Sequence, residues 1–230
     1  MKTAVFNFSG VYGEEGFPEW LREQGAEVAW IDCSDVEGTH CYCDAAAQRM
    51  LLQRMEGEMP KLRWIDSGDY HYLSHLLALR ESAPFHLVLL DHHSDDQAPA
   101  FGGVLSCGSW VKAMREENPM LRDVLTIGPE AAGEPETPED WSGRREGERV
   151  YISLDKDVMS REWARTDWTQ GDFSLVQVKD ILYTLMRRMD VAAVDICGEF
   201  SLNQGAVPED LRVNLATNGA LYQWIDNHIN

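Results

Sequence analysis

Short apolar runs rich in β-branched residues alternate with amphipathic stretches along almost the whole 230-residue chain. The apolar runs predict buried strands, and the stretches with Leu and Met at helical spacing predict helices. Strands are expected over residues 3–8, 27–31, 62–65, 86–90, 121–127, around 151, and over 192–197. Helices are expected over residues 17–24, 44–56, 70–80, 109–117, 175–189 and 209–228. This alternation predicts an α/β fold with a mainly parallel sheet of about seven or eight strands and helices on both faces, a three-layer α/β/α arrangement.

The pattern contains no internal repeat and no linker, so residues 1–230 are predicted to form a single domain. Residues 128–148 interrupt the alternation with a stretch rich in Gly, Pro and Glu. That composition predicts a long exposed surface loop rather than a packed element.

Acidic and histidine side chains follow two of the predicted strands. The run at 86–90 is followed by Asp91, His93 and Asp95, which share one face if the chain stays extended. The run at 149–154 ends in Asp155 and Asp157. Parallel sheets bind ligands at the carboxyl ends of their strands, and carboxylates that converge there need a positive partner. The two stretches together therefore predict a divalent metal site, whereas the first stretch alone is equally consistent with a polar loop.

A third stretch, residues 66–74, follows the predicted strand at 62–65 and adds Asp69 and His71 at a strand-to-helix turn. Oxygen and imidazole donors without thiolate suit Mn²⁺ and, less selectively, Fe²⁺, Co²⁺ or Zn²⁺.

In chain order, the segments S-G-D-Y-H-Y-L-S, D-H-H-S-D and S-L-D-K-D resemble the three metal motifs of the arginase and agmatinase superfamily, the ureohydrolases. The resemblance spans residues 62 to 200 and implies an arginase-like fold. It also implies two divalent ions, manganese in that family, with six ligands: His71, Asp91, His93, Asp95, Asp155 and Asp157. The first motif departs from the family by the extra Tyr70, and the third lacks the closing Asp-Pro.

The resemblance further implies a hydrolase with a binuclear centre that cleaves a linear C–N bond in a guanidino, amidine or amide small molecule. Glu199 is a catalytic candidate, because family members carry a glutamate after a late strand that holds the cationic end of the substrate. Cys107 is the other candidate, since the alignment places Ser106 or Cys107 where family enzymes acting on arginine carry a histidine thought to shuttle a proton. A neutral thiol is a weaker proton shuttle than imidazole, so arginine itself is not the expected substrate.

Two other functions are left open by the residues. A single-zinc, deacetylase-like amidohydrolase would share the fold without needing His71, Asp95 and Asp157 as a second ligand set. A non-catalytic metal- or partner-binding relative would keep the fold and lack the reaction.

Composition excludes several partners. The 20 Lys and Arg against 39 Asp and Glu give a net charge of −19, which repels phosphate backbones, so no nucleic-acid partner is expected. No run reaches the roughly 18 apolar residues of a membrane span, so no membrane partner is expected, and a homo-oligomer is left open.

The cysteines carry a further expectation. They number five, and the first residues do not read as a secretory signal, which predicts free thiols in a reducing cytoplasm. Cys41 and Cys43 form a C-x-C pair, but no second Cys/His pair lies near it in the sequence. A structural or incidental role is therefore favoured over a soft-metal site.

Overall fold

The computed structural model of the chain describes residues 1–128 and 136–229. The strands in this part of the chain are β1 (Lys2–Asn7), β2 (Glu27–Asp32), β3 (Tyr42–Cys43), β4 (Leu62–Ile65), β5 (Phe85–Leu90), β6 (Leu105–Ser106), β7 (Leu121–Ile127), β8 (Arg149–Asp155) and β9 (Asp190–Cys197). Seven of them form one sheet in the order β2-β1-β4-β9-β8-β5-β7. Every pairing in this sheet is parallel. The predicted parallel sheet of seven or eight strands is thus confirmed.

The helices of the described residues are α1 (Val11–Glu15), α2 (Phe17–Glu23), α3 (Ala45–Arg54), α4 (Leu73–Ala78), α5 (Trp110–Glu117), α6 (Pro138–Gly143), α7 (Leu175–Arg188) and α8 (Pro208–Asp226). Among the described residues, none of these helices has both the length and the apolar character needed to cross a bilayer.

The sheet separates two hydrophobic cores, because successive strand residues point to opposite faces. In β5, Leu87 and Leu89 pack into the core that also contains residues of α3, α4 and α5. Val88 and Leu90 pack into the other core, which contains residues of α1, α2, α7 and α8. Both faces of the sheet are therefore covered by helices, which confirms the predicted three-layer fold.

The predicted loop over residues 128–148 is wrong in its second half. Residues 138–143 form α6, whose Trp141 is only 2% exposed. The helix begins after Thr137, whose side chain accepts a hydrogen bond from the Asp140 N–H, and Pro138 occupies the first turn, where it costs no hydrogen bond. One buried tryptophan outweighs a polar composition. Residues 129–135 of the predicted loop lie outside the described residues.

Two further local features were not predicted. The helix expected over 70–80 is a 3₁₀ turn over Gly68–Tyr70 followed by the shorter α4. A second, two-stranded sheet pairs β3 with β6 in antiparallel orientation, joining segments more than sixty residues apart in the chain. Both features lie at the carboxyl edge of the main sheet, where the predicted ligands lie.

A buried ion pair crosses three adjacent strands below that edge. Arg63 of β4 is 3% exposed, and its Nε donates to Asp195 Oδ1 of β9 at 2.5 Å. The Tyr151 hydroxyl of β8 donates to the other oxygen of Asp195, and its ring lies 5.0 Å from the Arg63 guanidinium carbon. The carboxylate therefore joins all three strands through side chains as well as through the backbone.

Breaking this pair should be costly, because Asp195→Ala leaves the Arg63 guanidinium buried without its carboxylate. We expect the free energy of unfolding in urea to fall by roughly 3–5 kcal/mol. The matched control is Glu19→Ala, which removes an exposed ion pair to Arg22 and should cost less than about 1 kcal/mol. A double replacement, Arg63→Met with Asp195→Leu, should recover much of the loss because it removes both charges together. A single-variant loss no larger than that of the control would contradict this account.

Candidate metal centre

The six predicted ligands meet at the carboxyl ends of adjacent strands. His71 follows the 3₁₀ turn after β4, Asp91 follows β5, and Asp155 is the last residue of β8. Because β4, β9, β8 and β5 are neighbours in the sheet, segments distant in the chain end at the same place. Asp157 lies in the 3₁₀ turn after β8, and Asp95 and His93 lie in the segment after β5.

The ligand atoms form two groups that share Asp91. In the first, here called the Asp95 group, His71 Nδ1 lies 3.2 Å from Asp91 Oδ2 and 3.1 Å from Asp95 Oδ2. In the second, here called the Asp157 group, His93 Nδ1 lies 2.9 Å from Asp157 Oδ2 and 3.5 Å from Asp91 Oδ1. Asp155 Oδ2 lies 3.6 Å from His71 Nδ1. Two neighbouring groups joined by one carboxylate are an arrangement that fits two adjacent cations.

The reason given for the convergence in the sequence analysis needs correction. Asp91, His93 and Asp95 were expected to share a face of an extended strand, but β5 ends at Leu90 and Asp95 has a left-handed backbone with φ 49°. The three side chains do converge, yet His93 turns to Asp157 while Asp95 turns to His71. The turn after the strand, not the strand's alternation, brings them together.

Several polar atoms in the centre are buried without a hydrogen-bond partner, which is costly unless a cation lies among them. His71 Nδ1 and Asp91 Oδ2 are both in this state. Asp91, Asp95, Asp155 and Asp157 are all buried carboxylates. Buried histidine and aspartate groups of this kind can hold a metal ion.

Neighbouring hydrogen bonds fix the orientation of both histidines. His71 Nε2 is hydrogen-bonded to Ser153 Oγ at 2.8 Å, and His93 Nε2 to Thr169 Oγ1 at 2.9 Å. Each ring therefore presents Nδ1 to the carboxylates, the arrangement that metal-binding histidines use. Trp110 Nε1 donates to Asp95 Oδ2 at 2.6 Å and holds that carboxylate. None of these three partners could be identified from the sequence.

The electrostatics of the centre reflect crowded negative charge. Burial, followed by repulsion from Asp157, raises the pKa of Asp155 to about 6. Burial and the charge of Asp91 raise the pKa of Asp157 to about 6 as well. The hydrogen bonds of His93 to Asp157 and Asp91 raise its pKa to about 11. The protein thus binds protons where a cation would otherwise balance the charge.

Asp155 is enclosed between two glycines that the sequence analysis did not single out. A Cβ added at Gly68 would lie 3.1 Å from Asp155 Oδ2 and 2.9 Å from Trp168 Cδ1. A Cβ at Gly198, whose φ is +93°, would lie 2.3 Å from Asp155 Oδ1. Cys197, also missed, donates to Asp155 Oδ2 at 3.1 Å. Only the tertiary packing shows that these residues contact the centre.

The centre forms the floor of a cavity of about 280 Å³. Its walls include Cys41, Cys107 and Trp168, and its mouth includes Gln97, Ala98, Ala100 and Tyr42. Next to the mouth, the exposed Phe101 ring packs edge-on against Tyr42, with ring centroids 5.6 Å apart. The cavity is therefore acidic at its floor and largely apolar at its entrance.

The interpretation of Glu199 as a substrate contact is wrong. Glu199 is fully buried, forms a salt bridge with Lys156 Nζ, and accepts a hydrogen bond from Asn218 Nδ2 at 2.8 Å. It is not among the residues that line the cavity. Lys156 lies between the ligands Asp155 and Asp157 in the chain but turns away from them to neutralise Glu199. A carboxylate enclosed in this way cannot reach the cationic end of a substrate.

Cys107, the other catalytic candidate, does lie in the cavity wall. A hydrogen bond with the Cys41 thiol, followed by burial, raises its pKa well above the usual value. The thiol is therefore neutral near pH 7, which does not favour a nucleophilic thiolate. Its predicted catalytic role rests on position alone.

Comparisons with known proteins agree on the fold. No family model matches the chain. An uncharacterized protein of Thermotoga maritima is 26% identical over 233 residues, covering 95% of this chain and 88% of its own length. Its likeness therefore extends over nearly the whole domain.

Solved structures resemble the chain over its full length. Formimidoylglutamase from Bacillus subtilis has a TM-score of 0.67 at 13% identity and covers 100% of this chain and 87% of its own. Arginase from Medicago truncatula has a TM-score of 0.67 at 14% identity, with coverages of 98% and 87%. Proclavaminate amidino hydrolase from Streptomyces clavuligerus has a TM-score of 0.65 at 16% identity, with coverages of 99% and 92%. The chain has the arginase-like α/β/α fold of the arginase and agmatinase superfamily, to which all of these structural neighbours belong.

The raised pKa values give a pH-dependent prediction. Unfolded aspartates titrate near about 3.9, so in the metal-free protein Asp155 and Asp157 contribute stability at low pH that is lost as the pH rises through about 6. A divalent cation needs these carboxyls deprotonated. We therefore expect Mn²⁺ to raise Tm clearly more at about pH 7.5 than at about pH 5, measured by thermal unfolding with and without the ion. Equal Tm shifts at the two pH values would contradict this electrostatic account.

Proposed function

We propose that the chain is a hydrolase that cleaves a linear C–N bond in a guanidino, amidine or amide compound. It would use two divalent ions, with Mn²⁺ as the favoured metal. The observation that carries the proposal is the pair of donor groups sharing Asp91 at the floor of the cavity. The similar solved proteins include an amidino hydrolase, a formimidoylglutamase and an arginase, which are hydrolases acting on C–N bonds.

When bound, the two cations would supply Lewis-acid polarisation of the scissile group and a water of lowered pKa. The residues of the chain would then position the ligand side chains and exclude solvent from the cavity. Ser153 and Thr169 hold the two histidine rings in place, and Trp110 holds Asp95. Trp168 closes one side of the cavity over Gly68, which narrows the space left for water around the reacting group.

The presence of both donor groups, the Asp95 group and the Asp157 group, favours this function over the single-zinc alternative. A single-zinc deacetylase would need neither His71 with Asp95 nor Asp157 as ligands. Here His71, Asp95 and Asp157 all point into the centre, and His71 and Asp157 are buried to 1% exposure. Burying these extra charged groups would be costly without a second cation.

The substrate is proposed to be a small molecule without a carboxylate. The described residues that line the cavity include Asp91, Asp95, Asp155 and Asp157 but neither lysine nor arginine. The proposed cations would balance these acids, but a carboxylate elsewhere on the substrate would find no charged partner at the mouth, where Gln97 and two alanines lie. An uncharged or cationic compound with an apolar tail fits better, because Tyr42 and the adjoining Phe101 give the mouth an aromatic side.

We also propose a reducing cytoplasm as the site of action. All five cysteines are free in the structure, including the neighbouring Cys41 and Cys107, as expected where thiols stay reduced. A homo-oligomer remains an open proposal.

The metal proposal predicts two ions per chain after loading with Mn²⁺ and removal of free ions, measured by elemental analysis. Asp95→Ala and Asp157→Ala should each lose one ion, since each removes a ligand of one donor group only. Asp91→Ala and Asp155→Ala should lose at least one ion and abolish hydrolysis. The control Asp172→Ala, an exposed carboxylate in the segment before α7, should keep both. One ion or none in the unaltered protein would refute the two-metal proposal.

The substrate proposal predicts poor or absent urea release from L-arginine by the Mn²⁺-loaded protein. A panel of guanidino, amidine and amide compounds without a carboxylate should contain better substrates, judged by kcat/KM. Each hit should be paired with its carboxylate-bearing analogue, which a cavity mouth without lysine or arginine should disfavour by at least about tenfold, equal to about 1.4 kcal/mol. Efficient turnover of L-arginine would contradict the argument. Cys107→Ser and Cys107→His on the best substrate would show whether the thiol takes part in the reaction.

A further inference from the structure

A second cluster of metal-binding side chains lies in the wall of the same cavity, separate from the six ligands. Its centre is Asp69, which is 4% exposed. Asp69 Oδ1 accepts from the Cys41 thiol at 3.2 Å and from Trp168 Nε1 at 3.0 Å. Asp69 Oδ2 lies 3.2 Å from His40 Nε2. The ligand atoms of His40, Cys41 and Asp69 all lie within 4.8 Å of one another.

The backbone explains how two consecutive residues reach one carboxylate. Neighbouring side chains of an extended chain point to opposite faces, so His40 and Cys41 would normally diverge. Cys41 instead has a left-handed conformation with φ 57°, which is uncommon outside glycine. The turn redirects the chain just before β3 and brings both side chains onto Asp69.

A second thiol joins the cluster through the small antiparallel sheet. The register pairs Tyr42 with Ser106, which places Cys41 opposite Cys107. The Cys107 N–H donates to the Cys41 carbonyl at 3.0 Å, which holds the two cysteines side by side. Both line the cavity.

Of the two cysteines in the C-x-C pattern, only Cys41 belongs to the cluster. Cys43 is fully buried in the core beneath β3 and takes no part in the cluster. Cys41 is paired instead with Cys107, which directly follows β6. The Cys/His partner that the sequence lacked nearby is supplied by the tertiary structure.

We propose that His40, Cys41, Asp69 and Cys107, here called the rim cluster, form a third metal site that takes Zn²⁺. One imidazole, two thiols and one carboxylate are the donor types of tetrahedral zinc sites. The six ligands of the central site offer only oxygen and imidazole, so the rim cluster is the softer of the two sites. The half-open position of His40, 64% exposed, gives the ion a path from solvent. This proposal does not depend on the hydrolase function.

Charge supports the assignment. A zinc ion would offset two of the three negative charges carried by the Asp69 carboxylate and two thiolates, since metal binding releases the thiol protons. Among the groups that contact Asp69, the imidazole of His40 is the only one able to carry a positive charge. A divalent ion would supply more of the charge that this buried carboxylate lacks.

The test uses Co²⁺ as a spectroscopic substitute for Zn²⁺, added to the full-length protein already loaded with Mn²⁺. Thiolate bound to Co²⁺ gives a charge-transfer absorption that oxygen and nitrogen ligands do not give. We expect this band with about one added equivalent, a weaker band in Cys41→Ser and in Cys107→Ser, its loss when both are replaced, and its displacement by Zn²⁺. His40→Ala removes an exposed side chain, so the fold should be kept while Zn²⁺ binding weakens at least about tenfold, as loss of a ligand requires.

Two controls make the result decisive. Cys33→Ser changes a buried thiol outside the cavity and should leave the band unchanged. Cys197→Ser removes the thiol beside Asp155 and should leave it unchanged too, since a band that depends on Cys197 would belong to the central site. In the unaltered protein, Zn²⁺ should also slow the alkylation of Cys41 and Cys107. The rate of alkylation at each cysteine is measured by peptide mass mapping. Absence of the band, an undiminished band in Cys41→Ser, or alkylation rates unaffected by Zn²⁺ would overturn the proposal.

Discussion

Repulsion among four buried carboxylates is the constraint on which the rest of this structure depends. Asp91, Asp95, Asp155 and Asp157 are all buried at one edge of the sheet, where their charges are poorly screened. Two histidines cannot balance four acids, and the raised pKa values of Asp155, Asp157 and His93 express that deficit. Burying such an arrangement is costly without a cation among the acids, and this cost is the physical basis of the proposed metal centre.

Near this acidic edge, other buried charged side chains are paired with each other within the protein. Lys156 turns away from the ligands on either side of it and pairs with Glu199, and Arg63 pairs with Asp195 deeper in the sheet. Both pairs are buried, and both connect strands whose ends carry the centre. Asp195 and Glu199 are therefore matched by a basic residue, whereas the four acids at the cavity floor contact histidines instead of a lysine or arginine. Whether a buried carboxylate has a lysine or arginine partner therefore identifies the candidate metal centre better than the number of acidic residues does.

The fold of this chain is far more similar to that of known structures than its sequence is. The α/β/α frame superimposes on an arginase, a formimidoylglutamase and an amidino hydrolase at 13–16% identity. What such a frame fixes is the position of strand ends, and hence where ligands can converge. What it leaves free is the wall of the cavity. There this chain has an aromatic mouth, neither lysine nor arginine among the described lining residues, and a cluster of His40, Cys41 and Asp69. Differences in substrate and in metal content are therefore to be sought in the wall.

The sequence by itself determined the strands and the three layers, and it indicated that the six predicted ligands would lie at one edge of the sheet. Buried parallel strands are continuous apolar runs, and acids placed directly after them must meet at the edge of the sheet, so local pattern is enough. It did not determine Glu199, because the Lys156 that neutralises it is 43 residues away in the chain. Nor did it show α6, where one buried tryptophan overrides a polar segment. The pairing of Cys41 with Cys107 came only from β3 and β6, two-residue strands too short to leave a period. Contacts between distant segments leave no mark on local hydrophobic periodicity, and for that reason only the tertiary structure decided them.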